Sequence, residues 1–267
     1  MLATQRRARI LDLVERSGGM RVTDIVCTVG VSEITVRRDI RHLSALGGLK
    51  RVHGGAMPVG EARASARRLH AGSSLRIEEK RAIAEAAARA VRPGASIGIG
   101  AGTTCYELAK AIRDVPDLTV VTNSLPVAQL LHQRANPRQE LVITGGVGIR
   151  GDALGGAIAV AAVRSLRIDL LFLGADGVDV HAGLTTNDVV EAETNRAFVA
   201  SARRTHALVD HSKLGVVGLS TFMSLSELNS LVTDDGLTSV TRAALTQVVC
   251  DLQVVSTREP AARGPAR

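Results

Sequence analysis

The sequence is poor in aromatic residues, since it has no tryptophan, one tyrosine and three phenylalanines among 267 residues. Apolar residues still make up 45% of the chain, so any core must be built from valine, leucine, isoleucine and alanine. No stretch approaches the roughly 20 consecutive apolar residues of a membrane-spanning helix, and the charged N-terminus lacks the apolar segment of a signal peptide. We therefore expect no membrane partner.

Cysteine is also scarce, and Cys27, Cys105 and Cys250 are far apart with no CxxC pair among them. No histidine stands at metal-ligand spacing from any of the three, so we expect no metal and no cofactor. Three isolated cysteines are typical of a reducing compartment, which predicts a cytoplasmic protein.

The positive charge is confined to one end of the chain. The net charge is +7, and residues 1–92 carry the whole basic excess. This asymmetry predicts a polyanionic partner for the N-terminal part. Almost all of the positive charge is arginine, whose guanidinium group suits bidentate contacts to phosphate and guanine.

Residues 31–43, VSEITVRRDIRHL, are predicted to form a helix that begins after Ser32. Serine is a favoured N-cap because its hydroxyl accepts a hydrogen bond from an amide of the first turn. On a helical wheel Val36, Ile40 and Leu43 share one stripe, whereas the arginines lie on the opposite face and its edge. Alone, this pattern fits a solvated surface helix as well as a helix that enters the DNA major groove.

The neighbouring residues favour DNA binding. Residues 3–16 and 22–29 are predicted to form two further helices, and Gly30 supplies the turn of a helix-turn-helix pattern. The following stretch alternates around paired glycines, which predicts a short two-stranded wing. An ordinary basic hairpin has the same local pattern, so its position directly after the third helix is what favours a wing. Its basic residues are Lys50, Arg51 and His53.

Residues 5–57 resemble the winged helix-turn-helix of the DeoR family of bacterial transcriptional regulators. The runs SEITVRRDI and RVHGGA are the most specific parts of the resemblance. It implies that the second helix of the motif reads the major groove. The predicted DNA-binding residues, from the family motif, the helical wheel and the wing, are Ser32, Thr35, Arg37, Arg38, Arg41, Lys50, Arg51 and His53.

Changes in composition predict the domain boundaries. Residues 1–57 are expected to form the DNA-binding domain, and residues 58–76, with their proline, glycines and serines, a solvated linker. Residues 77–257 form the predicted effector domain, which opens with the helical run IEEKRAIAEAAARAV. Residues 258–267 are predicted to be a disordered tail.

The second domain alternates strand, loop and helix, which predicts an α/β fold with a mainly parallel sheet. Several strands are unbroken apolar runs, as is typical of strands covered on both faces. The predicted strands are 96–99, 118–122, 140–143, 170–173, 207–209, 231–233 and 248–255.

Each predicted strand leads into a polar or glycine-rich loop, and such loops collect at one edge of an open α/β sheet. The loop of residues 98–104 offers glycine amides, two threonine hydroxyls and a helix N-terminus to an anion. It lacks the ending of a Walker motif, so ATP is not implied, and a simple tight turn remains an alternative. With the later carboxylates and Lys213, whose alternative is a surface charge, these loops predict a site for a phosphorylated polyol.

The loops also resemble the effector domain of the DeoR family, whose fold is shared with ribose-5-phosphate isomerase and glucosamine-6-phosphate deaminase. The resemblance implies that Gly102, Thr103 and Thr104 bind the phosphate and that Asp176 and Lys213 line the sugar end. The complete predicted effector site consists of Gly100, Gly102, Thr103, Thr104, Asn123, Ser124, Gly145, Gly146, Asp176 and Lys213.

Two residues depart from the family pattern. Gly100 stands where many members have aspartate, and Asn195 stands where many have lysine. Each change removes a charge near the expected pocket. The effector is therefore expected to differ from the commoner ones or to bind weakly.

The sequence thus predicts a sequence-specific DNA-binding regulator, in the family's usual form a repressor of carbohydrate catabolism genes controlled by a phosphorylated sugar. A helix-turn-helix usually works as a dimer on paired half-sites, so we expect a homo-oligomer, either dimer or tetramer. The alternative is a sugar-phosphate isomerase or deaminase that uses Asp176, Asp179 and Lys213 as acid-base groups. An enzyme has no need of a winged helix, so we expect no catalytic activity.

Overall fold

The computed structural model describes residues 3–16, 20–45, 49–52, 55–58, 76–133, 136–149 and 152–257. The chain divides into two compact units, residues 1–74 and residues 75–267. The predicted tail and all of the predicted linker except its two end residues lie outside the described residues. Within the described part, no helix is both long and apolar enough to cross a membrane.

The described part of the N-terminal unit contains three helices and a small antiparallel sheet. Its elements are α1 (Ala3–Arg16), β1 (Met20–Arg21), α2 (Val22–Val29), α3 (Glu33–Ala45), β2 (Leu49–Val52) and β3 (Gly55–Pro58). The three predicted helices and the hairpin are confirmed. The predicted two-stranded wing corresponds to β2 and β3, and β1 pairs with β3 to add a third strand, in the order β1-β3-β2.

The apolar stripe of α3 forms part of the core of this unit, as the helical wheel predicts. Val36, Ile40 and Leu43 are all buried, and they belong to the same apolar cluster as Ile10 of α1 and Ile25 of α2. Burial of this stripe fixes which face of α3 remains for solvent or DNA.

The C-terminal unit alternates helices and strands along the chain. Its elements are α4 (Ile77–Ala88), β4 (Ser96–Ile99), α5 (Thr103–Ile112), β5 (Thr119–Thr122), α6 (Leu125–Gln133), β6 (Glu140–Ile143), β7 (Val147–Ile149), β8 (Ala153–Gly155), α7 (Ala157–Arg164), β9 (Ile168–Leu173), β10 (Gly177–Asp179), β11 (Gly183–Thr186), α8 (Val189–Ser201), β12 (Ala202–Leu208), β13 (Ser220–Met223), β14 (Ser230–Asp234), α9 (Ser239–Val248) and β15 (Leu252–Val255).

Seven of these strands form one sheet in the order β15-β14-β12-β9-β4-β5-β6, and all neighbouring strands are parallel. The predicted α/β fold is therefore confirmed. The sheet is covered on both faces, because Leu170 and Phe172 of β9 pack in one apolar cluster and Leu171 and Leu173 in another. The first cluster includes residues of α4, α5 and α6, and the second includes residues of α7, α8 and α9.

The sequence predictions erred in the bounds of some strands and in the shortest strands. Strand β12 spans Ala202–Leu208 rather than 207–209. The last strand begins at Leu252 rather than Val248, because Val248 still belongs to α9. The segments predicted as loops also contain the β7–β8 hairpin and the antiparallel sheet β10-β11-β13. These strands have only three or four residues each, which is too short to establish a period along the sequence.

Successive strands are added first on one side of β4 and later on the other, which makes a topological switch point between β4 and β9. The chain adds β5 and β6 on one side of β4 and then returns with β9, β12, β14 and β15 on the other. In open α/β sheets such a switch point opens a crevice at the carboxyl ends of the two central strands. The loops after β4 and β9 flank this crevice, and both belong to the predicted effector site.

Candidate functional site

The N-terminus of α3 is capped as the sequence predicts. Ser32 Oγ accepts a hydrogen bond of 3.3 Å from the Thr35 amide and lies 2.8 Å from Thr35 Oγ1. This cap satisfies one of the amides that the first turn of a helix leaves unpaired. Ser32 is exposed and Thr35 is half-buried, so the cap lies at the surface of the unit.

The predicted arginines of α3 are all exposed, but their surroundings differ. Arg37 pairs with Glu33 one turn earlier, at an N–O distance of 2.6 Å. Arg41 donates to the backbone oxygen of Arg37. Arg38 has no ion-pair partner among the residues that the structure describes. Its charge is therefore the most readily available of the three for an external anion.

A buried carboxylate anchors α3 to α1. Asp39 is fully buried and accepts hydrogen bonds from Arg6 Nε at 2.6 Å and from Arg7 Nε at 2.9 Å. Burial alone raises the pKa of Asp39, but the hydrogen bonds and charges of the two arginines outweigh it, so the pKa is lowered. Helical spacing places Asp39 at the edge of the buried stripe, yet the sequence analysis did not identify its partners.

The wing residues are less completely described. Lys50 and Arg51 lie in β2, paired with Met57 and Ala56 of β3, and nothing is described of their side chains. His53 lies outside the described residues. The assignment of these three residues to DNA contact remains a prediction.

In the C-terminal unit, the predicted phosphate-binding turn opens α5 at the edge of the crevice. Gly102 is the N-cap of α5 and has a φ of 117°, a backbone conformation that side-chain-bearing residues rarely adopt. The residues of the first turn follow at once, with Thr103 half-buried and Thr104 buried. The first amides of a helix have no intrahelical acceptor and carry partial positive charge, so this turn can accept an anion.

The amide of Gly100 is already paired within the sheet, and the absence of a side chain leaves room for Leu173. Its N–H donates to Phe172 O at 2.9 Å and so continues the pairing of β4 with β9. A Cβ at this position would lie 2.6 Å from Leu173 Cδ2, a distance that requires a shift of that side chain. Leu173 thus occupies the space at the floor of the crevice that an aspartate side chain at position 100 would need.

The predicted site residues after β5 also support the β7–β8 hairpin. Asn123 is fully buried, its Nδ2 donates to Leu154 O at 3.0 Å, and its Oδ1 has no partner among the described residues. Ser124 forms a β-bridge with Ala153. These residues connect the loop after β5 to β8, and the unpaired Asn123 Oδ1 is an acceptor that a ligand hydroxyl could satisfy.

Gly145 and Gly146 follow β6, and both have positive φ angles. A Cβ on Gly146 would lie 2.6 Å from the backbone oxygen of Gly155, so glycine is required there for the close approach of β8. This steric role is independent of any ligand.

Asp176 lies between β9 and β10 and is held by a dense set of donors. Its Oδ2 accepts hydrogen bonds from Asn187 N at 2.9 Å, Asn187 Nδ2 at 3.3 Å and Thr186 Oγ1 at 3.1 Å. The carboxylate is therefore fixed at the side of the crevice formed by β9 and β11. This position is consistent with the predicted role in contacting sugar hydroxyls.

Lys213 belongs to a group of charges that the sequence analysis only partly identified. Asp210, buried at the end of β12, accepts from Ser212, and the Arg76 Nε lies 3.9 Å from its Oδ1. Burial lowers the pKa of Lys80, the Asp210 charge opposes this, and the Lys213 and Arg76 charges add to it. Arg76, Lys80, Asp210 and Lys213 thus form one group of interacting charges after β12, at the carboxyl edge of the sheet.

Glu191 is a further charged group that the sequence analysis did not identify. Its Oε2 lies 2.8 Å from Thr186 Oγ1, the hydroxyl that also contacts Asp176. Burial raises the pKa of Glu191 to about 7, with smaller contributions in the same direction from Asp176 and Asp188. The pattern Asp188-x-x-Glu191 would have suggested only a helix cap, since it has the spacing of a capping box.

A second concavity lies away from these loops. A groove of about 400 Å³ runs between α4, α5 and α6 and includes Glu107, which accepts from Lys110 at 2.7 Å. Its lining is drawn from the middle of α4 and the second half of α5. None of the predicted effector residues lines it.

Two family models match the chain. The DeoR-like helix-turn-helix domain matches residues 6–60, and the DeoR C terminal sensor domain matches residues 75–235. Together they include both described surfaces, the exposed face of α3 and the carboxyl edge of the parallel sheet.

Curated relatives match along most of their length. The HTH-type transcriptional regulator GlpR of Haloferax volcanii is 35% identical over 244 residues, 91% of this chain and 94% of that protein. The lactose phosphotransferase system repressor of Streptococcus mutans is 33% identical over 88% of this chain and 93% of that protein. The putative aga operon transcriptional repressor of Escherichia coli O157:H7 is 29% identical over 88% and 87%.

A solved structure of ribose 5-phosphate isomerase A from Methanocaldococcus jannaschii is 22% identical, with a TM-score of 0.37. It covers 51% of this chain and 53% of that chain. A likeness of this extent carries no conclusion about activity, whereas the full-length relatives are regulators, which favours regulation over the enzyme alternative. The chain belongs to the DeoR family of DNA-binding transcriptional regulators.

Proposed function

We propose that the chain is a repressor of carbohydrate catabolism genes, and that a phosphorylated sugar bound at the carboxyl edge of the sheet releases it from DNA. The observation that carries the proposal is the position of the Gly102–Thr104 turn, at the N-terminus of α5 and beside the topological switch point. One relative is named a lactose phosphotransferase system repressor and another a putative aga operon transcriptional repressor, which supports a sugar-responsive role.

The surrounding chemistry suits such a ligand. The helix N-terminus and the cations Lys80 and Lys213 provide positive potential for a phosphate, while Asp176 and the Asn123 Oδ1 provide acceptors for hydroxyl groups. Sugar phosphates have both kinds of group. Effector binding would favour chain conformations with low affinity for DNA, and the ratio of its affinities for the two conformations sets the size of the response.

On the DNA side, the proposal assigns base and phosphate contacts to the N-cap residue Ser32 and to Thr35, Arg37, Arg38 and Arg41 of α3. The buried stripe of the same helix is committed to the core, which leaves the exposed face for the major groove. The wing residues Lys50, Arg51 and His53 are proposed to contact the flanking backbone.

We also propose that the chain acts as a homodimer assembled through its C-terminal unit. A helix-turn-helix reads paired half-sites, so two copies are needed on one operator. The edge strand β6 offers a surface for a second copy, since Ile143, Val147 and Ile158 around it are 48%, 65% and 66% exposed. Exposed apolar side chains that cluster in this way are typical of protein contacts.

The function is tested by footprinting the purified full-length chain on the DNA upstream of its own gene, at several salt concentrations. The expected result is a protected site of two half-sites that is lost when one phosphorylated sugar of a panel is added, while the unphosphorylated sugar has no effect. Absence of protection by the folded protein at moderate salt would contradict the DNA assignment. Protection that persists with every member of the panel would contradict the effector assignment.

A further inference from the structure

The hydroxyl group of Thr186 lies between two carboxylates. Its Oγ1 is 3.1 Å from Asp176 Oδ2 and 2.8 Å from Glu191 Oε2. A threonine hydroxyl has one proton, so it can donate to only one of them. The other contact is a hydrogen bond only if that carboxyl group carries a proton and donates it to Oγ1.

The other donors show which carboxyl group carries the proton. Asp176 Oδ2 also accepts from both nitrogens of Asn187, and several donors favour the ionised form of a carboxylate. Among the described residues, Thr186 is the only hydrogen-bond partner of the Glu191 carboxyl group. In a capping box Glu191 would accept from the Asp188 amide, but that amide faces Thr186 Oγ1 at 3.4 Å.

The charges around Glu191 favour its protonated form. Burial is the largest effect on its pKa, and the carboxylates of Asp176 and Asp188 also raise it, whereas a hydrogen bond donated by Thr186 to ionised Glu191 would oppose them. Cys105 of α5 faces Glu191 as a neutral thiol, because burial raises the pKa of Cys105 to about 12. Asn195, one turn further along α8, has no charge.

The elements packed against α8 supply no cation near Glu191. Strands β8, β11 and β13 contain no ionisable residue. The ionisable residue of α7 is Arg164, at its last position, and that of β9 is Asp169, at its second position. Strand β12 contains Arg203 and Arg204 near its start and His206 further along.

Glu191 also lies close to the proposed phosphate turn. Its charge acts on the thiol of Cys105, which is buried and follows Thr104 directly in the first turn of α5. On its other side it contacts Thr186 and, through it, Asp176. Glu191 therefore interacts with a residue that adjoins the proposed phosphate turn and with a residue that contacts the proposed sugar-binding carboxylate.

We propose that Glu191 is a ligand-positioning residue of the effector site, whose protonated carboxyl group donates to Thr186 so that Thr186 donates to Asp176 and holds that carboxylate for the ligand hydroxyls. This inference rests on the sugar-phosphate site proposed above. A bound phosphate adds negative charge beside Glu191 and so favours its protonated form. Ligand binding therefore takes up protons, and affinity falls as the pH rises through the range in which Glu191 ionises.

The first experiment needs no ligand and compares the thermal unfolding of the full-length chain with that of Glu191→Gln. Glutamine keeps a donor for Thr186 but does not titrate. Folded Glu191 keeps its proton to a higher pH than the unfolded chain, so the wild type loses stability from about pH 5 to about pH 8. The midpoint of the variant minus that of the wild type should therefore increase over this range, and the exposed neighbour Glu193→Gln should not show this increase.

The second experiment measures binding of ribose 5-phosphate and glucosamine 6-phosphate by calorimetry, in buffers of different ionisation heats. The wild type should take up protons and lose up to about tenfold in affinity per pH unit above neutrality. Glu191→Gln should remove this part of the pH dependence and keep the affinity seen at low pH, whereas Glu191→Ala should bind more weakly throughout. The titration of the phosphate itself is common to all variants and cancels in the comparison.

The two experiments separate this inference from the proposed function. If the thermal midpoints of the wild type and Glu191→Gln depend on pH in the same way, the assignment of a protonated carboxyl group to Glu191 is wrong. Binding with the same pH dependence in both would overturn the coupling and leave the effector site intact. If the wild type binds neither probe at any pH, the result counts against the effector site and against its coupling to Glu191, while the unfolding curves still decide the protonation of Glu191.

Discussion

At the scale of single residues, the arginines of α3 show why exposure alone is a poor guide to DNA contact. Arg37 and Glu33 are both about half exposed and form an ion pair one turn apart. Such surface pairs contribute only about 0.3–0.5 kcal/mol, so DNA phosphate can compete for Arg37. Arg38 needs no such exchange, because the described residues offer it no ion-pair partner.

Arg38→Ala is therefore expected to weaken operator binding by about 1–3 kcal/mol, which corresponds to roughly 5-fold to 150-fold in the dissociation constant. The thermal midpoint should stay unchanged, since the side chain is exposed. Gel-shift titrations at several salt concentrations measure the effect, with exposed Arg242→Ala of α9 as the control. Equal affinities for the wild type and Arg38→Ala would remove Arg38 from the set of DNA contacts.

Thr103→Val tests the phosphate turn. Valine has nearly the same shape, but it removes a hydroxyl next to the N-terminus of α5, so the release of DNA by the effector should be lost. Affinity for DNA without effector should be retained. The comparison is made by gel shift with the effector panel, and exposed Thr246→Val of α9 serves as the control. Normal release from Thr103→Val would show that the phosphate binds elsewhere.

At the scale of elements, the position of α3, the helix proposed to read DNA, depends on a long-range contact. The apolar stripe seats α3 on the core, but such packing tolerates small rotations and shifts of the helix. The ion pairs of Asp39 with Arg6 and Arg7 give α3 a directional attachment to α1. A buried ion pair adds little net stability, because both charges lose their hydration when they are buried. Its main effect here is to specify the position of α3. Removing one partner is nevertheless destabilising, because the other charge is left uncompensated.

Asp39→Asn is expected to destabilise the N-terminal unit by roughly 3 kcal/mol, because two arginines lose their buried carboxylate. Hydrogen exchange measured by mass spectrometry should show faster exchange in α1 and α3 and no change in the C-terminal unit. The variant Asp24→Asn, at an exposed site of α2, is the control. Unchanged exchange in α1 would mean that the pairs do not hold the two helices together.

The ion pairs of Asp39 also make the stability of the N-terminal unit depend on pH. The folded chain holds the pKa of Asp39 below its ordinary value, so the unfolded chain binds the proton more tightly. The stabilisation is fully present above the unfolded pKa and is lost as the pH falls through the folded pKa. Acid should therefore loosen α1 and α3 in the wild type, and Asp39→Asn should lack this component.

At the scale of the whole molecule, two C-terminal units must associate if two copies of α3 are to reach adjacent half-sites. Linking two readers in one assembly raises the effective concentration of the second once the first is bound. The proposed β6 surface connects this requirement to exposed side chains. Ile143 and Val147 flank the loop that carries Gly145 and Gly146, so the proposed dimer contact lies close to one part of the proposed effector site.

Val147→Asp and Ile158→Asp are each expected to shift the protein towards monomer and to weaken binding to a complete operator far more than to a single half-site. Sedimentation velocity and gel shifts measure the two effects. Val240→Asp is the matched control, since Val240 is 78% exposed on α9 and is not part of the β6 surface. If both variants sediment as the wild type does, this surface is not the dimer contact.

The sequence by itself determined the three helices of the N-terminal unit and the approximate positions of the seven strands of the parallel sheet. The stripe of Val36, Ile40 and Leu43, the Ser32 cap and the apolar strands are local patterns, and each follows from the geometry of one helix or strand. The tertiary structure alone decided which distant groups meet, such as Asp39 with Arg6 or Asn123 with Leu154. It also placed Glu191 against Thr186 and Asp176, because burial and hydrogen-bond partners depend on strand order, which no local period contains.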